Sequence, residues 1–372
     1  MILRDLISIK LLLLLILATP MLGSSDMLGQ NLQGWKTNTD KKSIDLNELI
    51  PGGPPKDGIP SIDNPDFIDF DDADSWLNAK EPVIAFQHNN IARAYPLQIL
   101  IWHEIVNDEF GDVPVLVTFC PLCYSAIVFD RRVEEETHEF GVSGFLRHSD
   151  MIMFDRKTES LWQQFTGEAI VGDYTGKQLD VLPSQIISYE QFKENYPDGA
   201  VLSKDTGYNR AYGRNPYSGY DDVNNTPFMM RGSEDDRLPP MEKVIGVRIG
   251  DRQIAYPYSV SEEERVINDE VAGMPIAIFH LDGARSALDD PELSESRVDG
   301  STGAFERTVN GTVLDFRYRR GKIQDRQTGS TWSISGRAVE GELEGTQLKT
   351  LRFGDYFAFA WLVFWPETEI YN

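Results

Sequence analysis

The chain has 372 residues and a formal net charge of −24, from 35 basic and 59 acidic side chains. That imbalance excludes a phosphate-backbone partner, which needs clustered Lys and Arg, so no nucleic acid is expected. The length suits two domains, and two cysteines are too few to staple a chain of this size.

At the N-terminus, Arg4 and Lys10 precede an apolar run, Leu11 to Ala18, and Gly23, Ser24 and Ser25 offer a cleavage site. Residues 1–25 read as an export signal, which makes the protein extracytoplasmic; an uncleaved N-terminal anchor is the alternative. The run from Leu11 to Leu22 is short for a bilayer, so no stable transmembrane span is expected after cleavage. Residues 26–80 read as an extended arm, because the prolines and glycines between Pro51 and Pro65 prevent a regular helix or central strand. Its Asp57, Asp63 and Asp66 read as turn formers.

From Glu81 onward the sequence repeats itself. Glu81 to Ala126 aligns without a gap on Glu242 to Ala287, matching Val83 with Val244, Tyr95 with Tyr256, Asn107 with Asn268 and Asp108 with Asp269. Later, DRKTESLW (Asp155 to Trp162) meets DRQTGSTW (Asp325 to Trp332). The chain therefore reads as two tandem homologous β-rich domains, 81–203 and 242–372, joined by an aromatic connector over 204–241. The expected fold class is mainly β (α+β), with short helices. EPVIAFQHNNIARAY and EKVIGVRIGDRQIAY each place an apolar run on either side of Asn-Asn or Gly-Asp, residues that tolerate the positive φ of a tight hairpin. VPVLVTF and MPIAIFH are further strands. The DR-x-T-x-S-x-W element reads as another hairpin, with Trp162 or Trp332 anchoring a core. Tyr356 to Pro366 is apolar on every face yet too short to span a membrane. It is expected to bury Phe357, Phe359, Trp361, Leu362, Phe364 and Trp365 between the copies or against the arm.

Chemistry is sought in what only the first copy carries. Cys120 and Cys123, in FCPLC, align with Leu281 and Ala284; His103 and Glu104 align with Glu264 and Arg265. His148 and Asp150 have no matching histidine or aspartate. A Cys-x-x-Cys bridge closes too small a ring to gain much loop entropy, which favours metal or redox chemistry over stapling. Thiolate and imidazole ligands suit copper or zinc. Cys120, Cys123 and His103 supply three candidate ligands, with His148, Glu104 or Asp150 to complete four. Alternatively, Cys120 is the nucleophile of an extracytoplasmic thiol enzyme or oxidoreductase, with His103 as its base. A third reading is a non-catalytic binding or scaffold module. Partner and substrate stay open.

The segments GGPPKDGIPSIDNPDF, AYPLQILIWHEIVNDEF, VLVTFCPLCYSAIVFDR and FGVSGFLRHSDMIMFDRKTESLWQQFTGEAIVG follow one another in this order. Together they resemble the prokaryotic family catalogued as domain of unknown function 3179. The resemblance runs from Pro51 to the C-terminus and includes the YGRNPYSGY connector. It implies no activity. It does imply that the Cys120 position is steadier than that of Cys123, which weighs toward a single thiolate working with His103.

Overall fold

The computed structural model describes Leu32, residues 34–231 and residues 235–372; the export segment expected over residues 1–25 lies outside them. The chain is mostly β, with short helices and several small sheets, as its turn-rich sequence implies. Asn89 and Asn90 turn β1 (Pro82–His88) back onto β2 (Ile91–Pro96), with Asn89 at a φ of 52°. α1 (Leu97–His103) follows directly and ends at Glu104, whose φ of 58° is left-handed. A meander of β3 (Ile105–Phe110), β4 (Val113–Cys120) and β5 (Ser125–Asp130) comes next. A second meander comprises β6 (Phe140–Arg147), β7 (Asp150–Asp155), β8 (Leu161–Gln163) and β9 (Glu168–Val171). β10 (Val181–Leu182) pairs with β5 and β11 (Gln185–Ser188) with β1. After α2 (Tyr189–Asn195), β12 (Ala200–Leu202) lies parallel to β2.

The same order of elements recurs beyond the connector. It runs β13 (Lys243–Ile249), β14 (Arg252–Pro257), α3 (Tyr258–Glu264), β15 (Val266–Val271), β16 (Met274–Leu281) and β17 (Ser301–Glu306). A meander follows, of β18 (Phe316–Arg319), β19 (Lys322–Asp325), β20 (Thr331–Trp332) and β21 (Ala338–Glu340). The series closes with β22 (Lys349–Thr350), β23 (Arg352–Phe357), α4 (Ala358–Phe364) and β24 (Glu369–Ile370). Strand orders correspond: β10-β5-β4-β3 beside β22-β17-β16-β15, and β11-β1-β2-β12 beside β23-β13-β14-β24. Even the parallel pairing of β12 with β2 has its counterpart in β24 with β14. In both series the aspartate that opens the DR turn accepts the tryptophan indole N–H, at 3.2 Å for Asp155–Trp162 and 3.0 Å for Asp325–Trp332. That bond satisfies a donor that would otherwise be buried unpaired.

The two series pack through each other. Tyr189 and Phe192 of α2 share a core with Phe279, Phe305 and Trp332, whereas Phe357 and Trp361 share one with Val128 and Phe165. Trp361 sits so close to β13 that a Cβ on Gly246 would come within 2.3 Å of its ring. The aligned residues of the first series are Ala85 and Phe192, a larger residue facing a smaller ring. Of the C-terminal side chains expected to be buried, Phe357, Phe359, Trp361 and Leu362 are; Phe364 and Trp365 are half-buried. Among the described residues no helix is long and apolar enough to cross a membrane. The arm runs along the first series: Ile62 inserts beside β3, exchanging backbone bonds of 2.9 and 2.8 Å with Ile105 and Asn107. Asp57 adopts a turn φ of 55°, and both Asp57 and Asp63 pair with Arg156.

Candidate metal centre

β4 ends at Cys120, which pairs with Ser125 at the start of β5, so Pro121 to Tyr124 must reverse the chain in four residues. Proline suits the first of these positions, and Tyr124 closes the turn with a φ of 53°. The turn brings Cys123 back toward Cys120. Opposite, β6 and β7 are joined by His148 and Ser149 alone, both left-handed at φ 51° and 69°. A two-residue turn of this kind is favoured by the strand twist, but without Asn or Gly it stores backbone strain. Its outcome is the placement of Asp150 at the head of β7.

Ligand atoms of Cys120, Cys123 and Asp150 all lie within 4.8 Å of one another, and all three residues are buried. Asp150 Oδ2 accepts from Gln163 Nε2 at 2.5 Å and from the Phe165 N–H at 2.9 Å. Asp150 Oδ1 is buried with no hydrogen-bond partner. Burial pushes the Asp150 carboxyl up to about 7. Burial also raises the Cys120 thiol, and the Cys123 thiol well above the usual range. Glu104 is pushed up to about 8, by burial and then by the charge of Asp150. The group is therefore a set of acidic donors with no cation paired to them among the described residues, which favours protonation until a metal ion displaces the protons.

Both histidines expected as ligands stand outside this group. His103 Nδ1–H donates to the Pro60 carbonyl at 2.7 Å, and Nε2 accepts from the Tyr212 hydroxyl at 2.6 Å. Both ring nitrogens are thus occupied, and burial holds the imidazole neutral by lowering its pKa. The same bonds leave His103 no lone pair with which to serve Cys120 as a base. His148 Nδ1–H donates to the Arg231 carbonyl at 3.1 Å, Nε2 faces Glu48, and the ring packs edge-on against Phe364. Glu104 belongs to the surroundings of the cluster rather than to the cluster itself, and lines an adjoining cavity.

Residues outside the expected set complete the site. Gln163 and Phe165 orient Asp150, while Gln164 ties Ser125 to Thr118 across the base of the β4–β5 hairpin, at 2.7 Å to each. Tyr217 and Tyr220 of the connector pack against the core that contains both thiols, and the Tyr220 hydroxyl donates to the Leu122 carbonyl at 3.1 Å. The second series supports the turn from below. The Phe357 N–H donates to the Cys123 carbonyl at 3.0 Å, and Lys243 Nζ lies 3.4 Å from the centre of the Tyr124 ring.

The profile of a family described as "Protein of unknown function (DUF3179)" matches residues 56–368. The chain belongs to this family. No curated protein and no solved structure matches it. The DUF3179 match spans both series of elements and the connector, so the cysteine turn, Asp150 and the connector tyrosines all fall within it.

Proposed function

We propose that the protein binds a transition metal, zinc or copper, through Cys120, Cys123 and Asp150. The reading is carried by Asp150 Oδ1, a buried carboxylate oxygen without a partner in a group whose other members are sulfurs. An unpaired buried acceptor costs free energy, and an ion relieves that cost. Two thiolates make the site soft, which suits zinc and Cu(I); a carboxylate oxygen beside them favours zinc. Three protein donors leave a four-coordinate ion one position for water or a ligand. The raised thiol pKa values weigh against a free nucleophilic thiolate, which needs a depressed one. We further propose that the chain is exported and that its two series arose by duplication, with only the first retaining the site.

Metal analysis of protein purified without chelators tests the reading. The expected result is about one zinc or copper per chain. Cys120→Ser, Cys123→Ser and Asp150→Asn should each lose it without changing the far-UV circular dichroism. A chain that takes up neither ion on reconstitution, with both thiols reduced, overturns it.

A further inference from the structure

Next to the cysteine turn, a cavity of about 460 Å³ opens between the arm, β6, β7 and the connector. Ile59, Phe145, Met151, Tyr217, Tyr220 and Phe228 supply most of its apolar and aromatic wall. The size falls in the range that encloses a small organic ligand, and such sites combine an apolar lining with a few placed polar groups.

Most polar groups of the wall are already satisfied by the protein. The Tyr220 hydroxyl donates to Leu122 O and accepts from the Phe228 N–H, each at 3.1 Å. Asn225 Nδ2 donates to Gly219 O at 2.7 Å, and Ser218 Oγ to Asp289 O at 3.2 Å. Two side chains differ. The Glu104 carboxyl and the Tyr217 hydroxyl have no hydrogen-bond partner among the described residues, and both residues line the cavity. Glu104 is 6% exposed. Among the described residues it is also the only Asp, Glu, Lys, Arg or His in the lining.

The backbone holds Glu104 firmly while leaving its carboxyl unused. Its N–H caps α1 through Leu100 O at 2.7 Å, and its carbonyl accepts from Phe119 at 2.8 Å. Arg265, its counterpart after α3, has nearly the same left-handed φ, 64°. The strained backbone thus belongs to the fold, and only the first series uses it to present an unpaired carboxyl to a cavity. An apolar wall without a cation favours the uncharged carboxyl, which is a hydrogen-bond donor.

We propose that this cavity binds a small, uncharged, mostly apolar carbonyl compound, whose oxygen accepts hydrogen bonds from Glu104 and the Tyr217 hydroxyl. Aromatic faces suit a flat ligand body, and the two donors fix its one polar atom. A charged ligand would face an apolar wall without a counter-charge on most sides.

The test titrates the full-length protein with 2-acetylnaphthalene, 2-ethylnaphthalene and 2-naphthylmethylammonium by calorimetry. The ketone should bind about tenfold or more tightly than the hydrocarbon, as expected for a site whose buried donors are left unpaired by the analogue. Glu104→Leu and Tyr217→Phe should each shrink that preference while leaving hydrocarbon affinity unchanged; Ile59→Trp should weaken both ligands by filling the cavity. Glu104→Gln, which keeps the shape and a donor, should retain most of the preference and serves if Glu104→Leu does not fold. Metal content is read on the same samples, so a ketone preference that persists in protein without metal separates failure of the metal site from failure of this one. Equal binding of ketone and hydrocarbon, tighter binding of the ammonium ion, or no binding of the ketone overturns the proposal.

Discussion

His280 shows how much a single buried side chain governs the molecule's response to acid. Its ring bonds to Ser261 Oγ at 2.8 Å through Nδ1 and faces Asp299 O through Nε2 at 3.3 Å, with the Tyr258 ring against it. Burial depresses its pKa from 6.5 to about 4; Arg265 lowers it further, whereas Asp299 and Asp282 oppose the shift. A base depressed in the folded state contributes stability that is full above 6.5 and is lost as pH falls through about 4. At pH 5 the wild type should therefore lose about 2 kcal/mol more than His280→Gln does, relative to each protein at pH 7. Urea midpoints at the two pH values measure the difference, and parallel pH profiles refute the assignment. His280 gave no sign of this in the sequence, because its partners Ser261 and Asp299, each 19 residues away, meet it only once the chain has folded. Cys120, Cys123 and Asp150 were legible for the opposite reason: the aligned stretch of the second series has no cysteine or aspartate at their positions. His103 was read as a ligand on the same ground, since Glu264 stands in its place in the second series. Its two ring nitrogens are in fact taken by Pro60 and Tyr212, and a partner so remote in sequence leaves no local signal.

At the scale of elements, β7 joins the fold to the site. One end carries Asp150 and the other Asp155, which accepts from the Thr158 N–H at 2.7 Å and from Trp162. β19 ends in the same clamp, Asp325 accepting from the Thr328 N–H at 2.6 Å and from Trp332. Removing either carboxylate leaves a buried indole N–H unpaired, a loss of about 1–3 kcal/mol. Asp155→Ala and Asp325→Ala should therefore lower the melting temperature alike, but only Asp155→Ala should weaken metal retention. Equal metal loss in both would mean that stability alone controls the site. The Asn89-Asn90 hairpin and the paired tryptophans were legible because they depend on turn chemistry and short spacing. The His148-Ser149 turn was not, since His and Ser signal positive φ far less than Asn or Gly do; the register of β6 against β7 imposes it. Tyr217 was visible only as part of an aromatic connector, and its approach to Glu104 is a product of packing.

For the whole molecule, each series lends its last helix to a core shared with the other. Trp361 is 1% exposed, stacks on Tyr356 with ring centres 5.2 Å apart, and its indole N–H donates to Thr368 Oγ1 at 2.9 Å. Truncating it empties a large volume that β13, tailored by Gly246, does not refill. Trp361→Ala should thus cost about 3–5 kcal/mol. Because the core it leaves is shared, the loss should appear as a lower midpoint of one cooperative transition rather than as the unfolding of the C-terminal half alone. The same helix starts beside the site: the Phe357 N–H that holds the Cys123 carbonyl belongs to the last residue of β23, immediately before α4. Ending the chain after Phe353 removes that donor together with the buried face of α4. The truncated protein should aggregate or unfold, and whatever remains soluble should retain no metal. Calorimetry of Trp361→Ala and metal analysis of the truncated chain check the two halves of the argument. Two separated transitions, or a soluble truncation that keeps its ion, would show that the first series folds and binds without the second.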